Sequence, residues 1–299
     1  MKNLISCKDI NPDILFEILG KSNKDQVYLD SRKVLGLIFL NESTRTSNSL
    51  KSAIIKLGGG WLGLEGVKGS YLASKLDTIQ NSIRSLSNYC DLLAVRGEVE
   101  EKRLVNISTP IINAGNDLIT TPLWGIWLAS LLRNLFGSKE LKIGVYGMCK
   151  YSSPIKSYYN VCSLLGYSFF EDSIVDEVST SDEIVNQIIK NGSPFIKDQI
   201  ENFIGEIDLL IIADCYPEKD CNSDILKKFI DNHLPINNNI INKLKKESKI
   251  FVVEPYNFNN GIRSTINDEV LKDNRIINDQ FNKQSVISTI GIIRYLLSI

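Results

Sequence analysis

Short, strongly apolar runs alternate along this chain with longer helical stretches. The runs Val34–Leu40, Asp91–Arg96, Pro110–Ala114, Lys142–Tyr146, Asp208–Ala213 and Ile250–Glu254 are short, and several are apolar throughout. That is the pattern of strands covered on both faces in a parallel sheet. Ser47–Leu57, Leu72–Tyr89, Pro122–Leu135 and Ile155–Leu165 read as helices between them. The alternation predicts an α/β protein made of βαβ units, each sheet open, mostly parallel and flanked by helices. Leu123–Leu135 is apolar almost all round and predicts a buried helix joining two lobes. The turn signal at Phe136-Gly137-Ser138-Lys139-Glu140 marks a boundary. The expected division is residues 1–136 and residues 137–299, with the last helix, Lys283–Ile299, packing back on the first domain. Asn237–Asn239 reads as a polar loop or a helix start.

Length supports two domains, because 299 residues exceed what one compact core usually holds. A formal net charge of -1 gives no polyanion-binding surface, so nucleic acid is set aside as a partner. No apolar run approaches the roughly 20 residues that cross a bilayer. The first residues, MKNLISCKDINPD, lack a signal-peptide core, so a cytoplasmic location is expected. Cys7, Cys90, Cys149, Cys162, Cys215 and Cys221 contain no Cys-x-x-Cys pair and read as free thiols. With His233 the only histidine, no metal site is expected. His233 itself reads as a surface residue of a polar loop.

The densest local chemistry is LGLIFLNESTRTSNSLKSAIIKLGG. An apolar strand leads through Ser43, Thr44, Arg45 and Thr46 into a helix. Such an end gathers hydroxyls, a guanidinium and backbone N–H groups at the positive pole of a helix, where anions bind. Arg45 adds a forked donor suited to phosphate. Locally, the same four residues also fit a plain helix cap.

The wider pattern resembles the aspartate/ornithine carbamoyltransferase family, more nearly the aspartate type. The strand-loop-helix from Phe39 through Ser43-Thr44-Arg45-Thr46 to Leu57-Gly58-Gly59 resembles its carbamoyl-phosphate signature. Gly66-Val67-Lys68-Gly69-Ser70-Tyr71-Leu72-Ala73, Tyr89-Cys90-Asp91-Leu92-Leu93-Ala94-Val95-Arg96, Pro110-Ile111-Ile112-Asn113-Ala114-Gly115 and Lys150-Tyr151 follow in the family's order. The resemblance implies that Ser43, Thr44, Arg45, Thr46, Lys68 and Arg96 bind phosphate. Arg96 would also reach the carbamoyl oxygen, and Lys68 would come from a neighbouring subunit of a homotrimer. Arg45, Thr46, Arg96 and Thr121 are the expected catalytic groups, with no cofactor.

The chain departs from the family where the carbamoyl end would lie. The family's His-Pro-x-Gln becomes Thr121-Pro122-Leu123-Trp124. Loss of one donor to a developing oxyanion typically costs about 10²–10³ in rate. An indole cannot accept a hydrogen bond from an amide. On the acceptor side the family's arginines are replaced by Ser153 and Asp214, and its later His-x-Leu-Pro turn becomes Glu254-Pro255-Tyr256-Asn257. Asp214 and Glu254, with Ser153 and Trp124, would make an acidic acceptor site for a cationic or neutral polar amine. As bare strand-end acids, Asp214 and Glu254 equally fit solvated positions.

Two readings stay open. One is an enzyme passing a carbamoyl group from carbamoyl phosphate, or a related acyl phosphate, to a small amine. The other is a non-catalytic homologue that binds ligand or partners a paralogous subunit. A dinucleotide-binding reading of KIGVYGMCKYSS fails for want of the Gly-x-Gly-x-x-Gly spacing.

Overall fold

A computed structural model describes residues 2–22, 32–66, 78–104, 107–116, 118–213, 221–254 and 266–298. The chain divides into two compact units, one of Met1–Leu135 with Gln280–Ile299 and one of Phe136–Asp279. Each is built on a parallel sheet with flanking helices.

In the first unit, helix α1 (Pro12–Ser22) precedes strand β1 (Val34–Phe39), helix α2 (Thr44–Lys56), strand β2 (Gly60–Glu65), helix α3 (Ile79–Ser87), strand β3 (Leu92–Arg96), strand β4 (Ile111–Asn113) and helix α4 (Leu123–Phe136). The strand order is β2-β1-β3-β4, parallel throughout. Leu35, Leu37, Phe39, Leu93, Ala94, Ile111 and Ile112 are fully buried. Each such Leu, Ile or Phe side chain contributes roughly 1.5–3 kcal/mol relative to exposure. Strand β2 was not legible in the sequence. Its half-exposed alternation and two glycines, Gly60 and Gly63, weaken the apolar run that marks the inner strands. The expected Leu72–Tyr89 helix is described only from its cap at Thr78, whose Oγ1 accepts from Asn81 N at 3.2 Å; residues 72–77 lie outside the described residues.

Helix α4 is buried along most of its length, as its all-round apolar sequence requires. The last helix, α10 (Asn278–Leu296), packs on this unit through buried polar bonds. Trp127 Nε1 donates to Thr289 Oγ1 at 3.0 Å and Gln284 Nε2 to Ser130 Oγ at 2.7 Å. Ser49 Oγ donates to Ser285 Oγ at 3.0 Å and Arg294 Nη1 to Lys21 O at 2.8 Å. Such pairs fix the helix in one register, because any slip leaves buried donors without partners.

The second unit contains β5 (Lys142–Tyr146), α5 (Ser153–Cys162), β6 (Ser168–Asp172), α6 (Asp182–Lys190), β7 (Phe195–Lys197), α7 (Ile200–Phe203), β8 (Leu209–Ile212), α8 (Ser223–Asn232), α9 (Asn238–Ile241) and β9 (Lys249–Val252). The order β7-β6-β5-β8-β9 is again parallel. Strands β6 and β7 were not anticipated, since β6 ends in acids and β7 is three residues long. Asn237 caps α9, its side chain accepting from Asn239 N and Ile240 N.

His233 is a correction. It is 1% exposed, stacked on Phe229 at 5.3 Å between ring centroids and tilted against Tyr146 at 6.1 Å. The polar residues around it in sequence concealed an aromatic cage built by α8 and β5. Among the described cysteines, Cys7, Cys90, Cys149, Cys162 and Cys221 are free; Cys215 lies outside the described residues.

Candidate functional site

The site begins at the C-terminal edge of the first sheet. Phe39, Glu65 and Arg96, the last residues of β1, β2 and β3, are level with one another. Leu40 N donates to Arg96 O at 2.8 Å, so the chain leaves β1 alongside Arg96 before it turns into α2.

Ser43 is the N-cap of α2, in extended conformation at φ -153° and ψ 107°, yet its side chain makes no capping bond. The first turn carries no acid. The nearest acid in sequence, Glu42, lies beside Gly66. The positive end of a helix of 13 residues is thus not neutralised by its own first turn, a condition that favours an anion there. Ser43 is half-buried, Thr44 and Arg45 are exposed, and Thr46 is 4% exposed.

Three of the expected residues meet directly. Trp124 Nε1 donates to Thr46 Oγ1 at 3.4 Å. The Arg96 guanidinium carbon lies 5.9 Å from the centre of the Trp124 ring, within cation–π range. Arg96 Nη1 also donates to Ala114 O at 3.0 Å. Gly115 makes this convergence fit. Its φ is +127°, and a Cβ there would stand 2.3 Å from Arg96 Nη1 and 3.2 Å from Trp124 Cζ2.

The β4–α4 loop that delivers Trp124 is held by Asn113. Its Nδ2 donates to Ile5 O at 2.7 Å and to Ile119 O at 3.1 Å, while its Oδ1 accepts from Gly115 N at 2.9 Å. Thr121 is 1% exposed. Its hydroxyl donates to Asn113 O at 2.5 Å and accepts from Leu123 N at 3.1 Å. Thr121 therefore caps the start of α4 and fixes the loop.

Beside this corner lies a group that sequence reasoning missed. Ser47 and Lys51, one turn apart on α2, both hydrogen-bond Glu65 at the end of β2. Lys51 Nζ also lies 4.1 Å from the Trp61 ring centre. Burial raises the Glu65 carboxyl, but the hydrogen bonds from Lys51 and Ser47 and the Lys51 charge outweigh it and hold it below its ordinary range. The i, i+4 spacing of Ser47 and Lys51 was the available signal, but their partner sat on an unrecognised strand.

In the second unit, Ser153 opens α5 and is half-buried. The cap is its neighbour Ser152, whose side chain accepts from Ile155 N at 3.5 Å. Glu254 follows β9 and is half-buried. Both stand at the C-terminal edge of the second sheet, the edge where open parallel sheets carry ligands. Lys68 and Asp214 lie outside the described residues.

This edge also holds a buried network. Glu171 of β6 is 1% exposed and accepts from Tyr159 Oη at 2.7 Å, Ser173 Oγ at 2.6 Å and Thr180 N at 2.9 Å. Burial, and next the Glu171 charge, push the Tyr159 hydroxyl and the Cys149 thiol far above their ordinary values. Among the described residues no group of three or more His, Cys, Asp or Glu side chains is placed to hold a metal ion. No described helix is long and apolar enough to cross a membrane.

Residues 2–123 match the family model described as aspartate/ornithine carbamoyltransferase, carbamoyl-P binding domain. The aspartate carbamoyltransferase catalytic subunit of Methanobrevibacter smithii is 27% identical over 296 residues, covering 94% of this chain and 91% of the relative. That of Finegoldia magna is 28% identical over 315 residues, covering 100% and 98%. Among solved structures, the catalytic subunit of M. jannaschii aspartate transcarbamoylase superposes with a TM-score of 0.83 at 22% identity, covering 100% of this chain and 98% of that one. The Trypanosoma cruzi aspartate transcarbamoylase in complex with carbamoyl phosphate gives 0.81 at 18% identity, covering 99% and 95%.

Proposed function

Since this chain is related to the aspartate/ornithine carbamoyltransferases, we propose that it is a transferase of that kind, drawing its acyl group from carbamoyl phosphate or a related acyl phosphate. The phosphate is held by Ser43, Thr44, Arg45 and Thr46 at the start of α2, with Arg96 from β3 and Lys68 from a neighbouring copy in a homotrimer. The amine acceptor is held on the other unit by Ser153, Asp214 and Glu254, whose acids suit a cationic or neutral polar amine. The observation that carries this reading is the meeting of Thr46, Trp124 and Arg96 beside a helix end that its own Ser43 does not cap.

In the reaction, the amine nitrogen attacks the acyl carbon. The C–N bond forms, the C–O bond to phosphate breaks, and the amine proton leaves with the phosphate or to solvent. Negative charge gathers on the carbonyl oxygen and on the departing phosphate. Fixed donors stabilise such charge better than water does, because they need not reorganise. Arg45 and Arg96 act on the phosphate, and Arg96 with Thr46 on the carbonyl oxygen. The remaining contribution is alignment of two bound reactants. Thr121 supports the corner by holding the α4 start.

One observation favours a second reading, a non-catalytic ligand-binding homologue working with a paralogous subunit. The Thr121 hydroxyl is engaged with Asn113 O and Leu123 N, so its proton is already committed.

Calorimetric titration with carbamoyl phosphate and with inorganic phosphate tests the phosphate site. Saturable binding, weakened about tenfold or more by Arg45→Ala, supports it, since hydrogen bonds to charged groups contribute roughly 1.5–3 kcal/mol. Unchanged affinity in Arg45→Ala would refute Arg45 as an anchor. Binding without acyl transfer to any of a panel of amines would favour the second reading.

A further inference from the structure

We propose that Thr289 and Ser285 of α10 are positioning residues for the anion corner, holding the starts of α2 and α4 at the spacing in which Thr46 meets Trp124. This rests on the proposed phosphate site and names the groups that keep it assembled.

At the corner itself, Trp124 Nε1 donates to Thr46 Oγ1 at 3.4 Å. That is long for an N–H donor and weak by itself. One turn deeper stand Ser49 on α2 and Trp127 on α4, on the same helix faces as Thr46 and Trp124. There both helices bond α10. Trp127 Nε1 donates to Thr289 Oγ1 at 3.0 Å. Ser49 Oγ donates to Ser285 Oγ at 3.0 Å and lies 3.4 Å from Thr289 Oγ1. Ser49, Trp127, Ser285 and Thr289 are all buried.

The hydrogens of this cluster fit in one sense. Both hydroxyls of α10 turn back on their own helix: Thr289 Oγ1 donates to Ser285 O at 2.7 Å and Ser285 Oγ to Asn282 O at 2.7 Å, the usual local bond of a helical hydroxyl. Their lone pairs are left for other elements. α2 and α4 each bring one hydrogen to them, from the Ser49 hydroxyl and from the Trp127 indole, which can only donate. Shifting either helix against α10 strands a buried donor, which costs more than an exposed bond would. Further along, Gln284 Nε2 donates to Ser130 Oγ at 2.7 Å and Asn134 Nδ2 to Gln284 Oε1 at 2.8 Å, so α4 is tied to α10 over more than one turn.

An apolar side chain at position 289 would fill the space but would not select one spacing. The inner bonds are the shorter ones, so they, rather than the Trp124–Thr46 bond, set how far apart the two helix starts stand. Without them the outer bond opens, and the corner is assembled for only part of the time. A ligand of the assembled corner then binds more weakly by that fraction.

The test titrates the full chain with inorganic phosphate and with carbamoyl phosphate, and follows urea unfolding of each variant. Thr289→Val keeps the shape and removes the hydroxyl; both anions are expected to bind roughly three- to tenfold more weakly, the usual span of coupling through a packed network. Thr289→Ser, which keeps the hydroxyl, should retain wild-type affinity. Trp127→Phe should weaken binding like Thr289→Val, and the double variant no further, because the two share one bond. Arg294→Met breaks the bond from α10 to Lys21 O; it should lower the urea midpoint and leave affinity unchanged. Wild-type affinity in Thr289→Val, or a loss in Thr289→Ser equal to that in Thr289→Val, overturns the inference while the phosphate site stands. An equal loss of affinity in Arg294→Met also overturns it, since destabilisation alone would then account for the effect. Binding of neither anion by the wild type overturns the phosphate site, and this inference with it. Trp127→Phe decides the matter if Thr289→Val fails to fold.

Discussion

The two sheets are variations on one plan, alike at the ends where their strands begin and different where they finish. The order β2-β1-β3-β4 of the first recurs as β6-β5-β8-β9 in the second, with β7 added at one edge. Each places an aspartate just before the strand beside its leading one. Asp91 accepts from Val34 N at 2.9 Å and from Lys33 Nζ at 3.0 Å. Asp208 accepts from Lys142 N at 3.0 Å and from Lys139 Nζ at 2.7 Å. At the opposite edge the likeness ends. The β1–α2 turn leaves its cap serine without a capping bond, whereas the β5–α5 turn caps its helix with Ser152 and is backed by Glu171. One strand end leaves its cap serine unbonded to its own helix; the other is closed on itself. Similar topology therefore does not fix whether a cap side chain satisfies the first turn of its own helix.

The most severe way to break this comparison is to open the closed end. Glu171→Leu strands the Tyr159, Ser173 and Thr180 donors in a buried site. An orphaned buried donor typically costs about 1–3 kcal/mol, so the variant should lose about 3 kcal/mol or more in urea unfolding. A loss under about 1 kcal/mol would mean that the network does not hold the β5–α5 turn.

The open end should respond in affinity before stability. Arg96→Ala removes a guanidinium from the corner and its bond to Ala114 O. Phosphate affinity is expected to fall roughly 10–100-fold, against about 1 kcal/mol of stability for the backbone bond to Ala114 O. If titration shows unchanged affinity while the melting temperature drops, Arg96 is a structural residue.

The paired cap serines sharpen the contrast. Ser152→Ala should cost about 1 kcal/mol, the usual effect of deleting a cap. Ser43→Ala should leave the ligand-free protein within about 0.5 kcal/mol of wild type, because no cap bond is lost. Its effect should appear as weaker phosphate binding. Equal losses of stability in the two variants would show that both helix ends are capped alike.

The sequence carried the alternation of strands and helices, because β1, β3, β5 and β8 are inner strands whose both-sides burial writes a continuous apolar run. It concealed β2, β6 and β7: β2 and β7 bury one face or less and Gly60 and Gly63 thin the signal further, while β6, although an inner strand, carries Ser168, Glu171 and Asp172. The Ser43–Thr46 turn was legible because an uncapped helix end and its donors are contiguous in the chain. The meeting of Trp124 with Arg96 and Thr46 was not, because it depends on the β4–α4 loop, which Asn113 shapes through bonds to Ile5 and Ile119. His233 misled for a similar reason: its cage partners, Phe229 and Tyr146, come from separate elements.

The two aspartates at the shared end give the finest test. Burial raises the Asp208 carboxyl, but hydrogen bonds from Lys139 and Lys142 N and the charges of Lys245 and Lys139 outweigh it and hold it below its ordinary 3.8. For Asp91 burial is likewise outweighed, by Val34 N and by Lys33. A carboxylate whose folded value is depressed adds stability that is fully present above the unfolded value and is lost as pH falls through the folded one. Both should therefore weaken the fold on acidification below about the 3.8 of an ordinary aspartate. The Asp208 side chain is 8% exposed and that of Asp91 34%. Solvent screens the exposed pair more, so its contribution is smaller. Asp208→Asn should flatten the acid limb of the stability curve more than Asp91→Asn does. Equal flattening would mean that the hydrogen bond each accepts from a backbone N–H, rather than burial of the ion pair, sets their contribution.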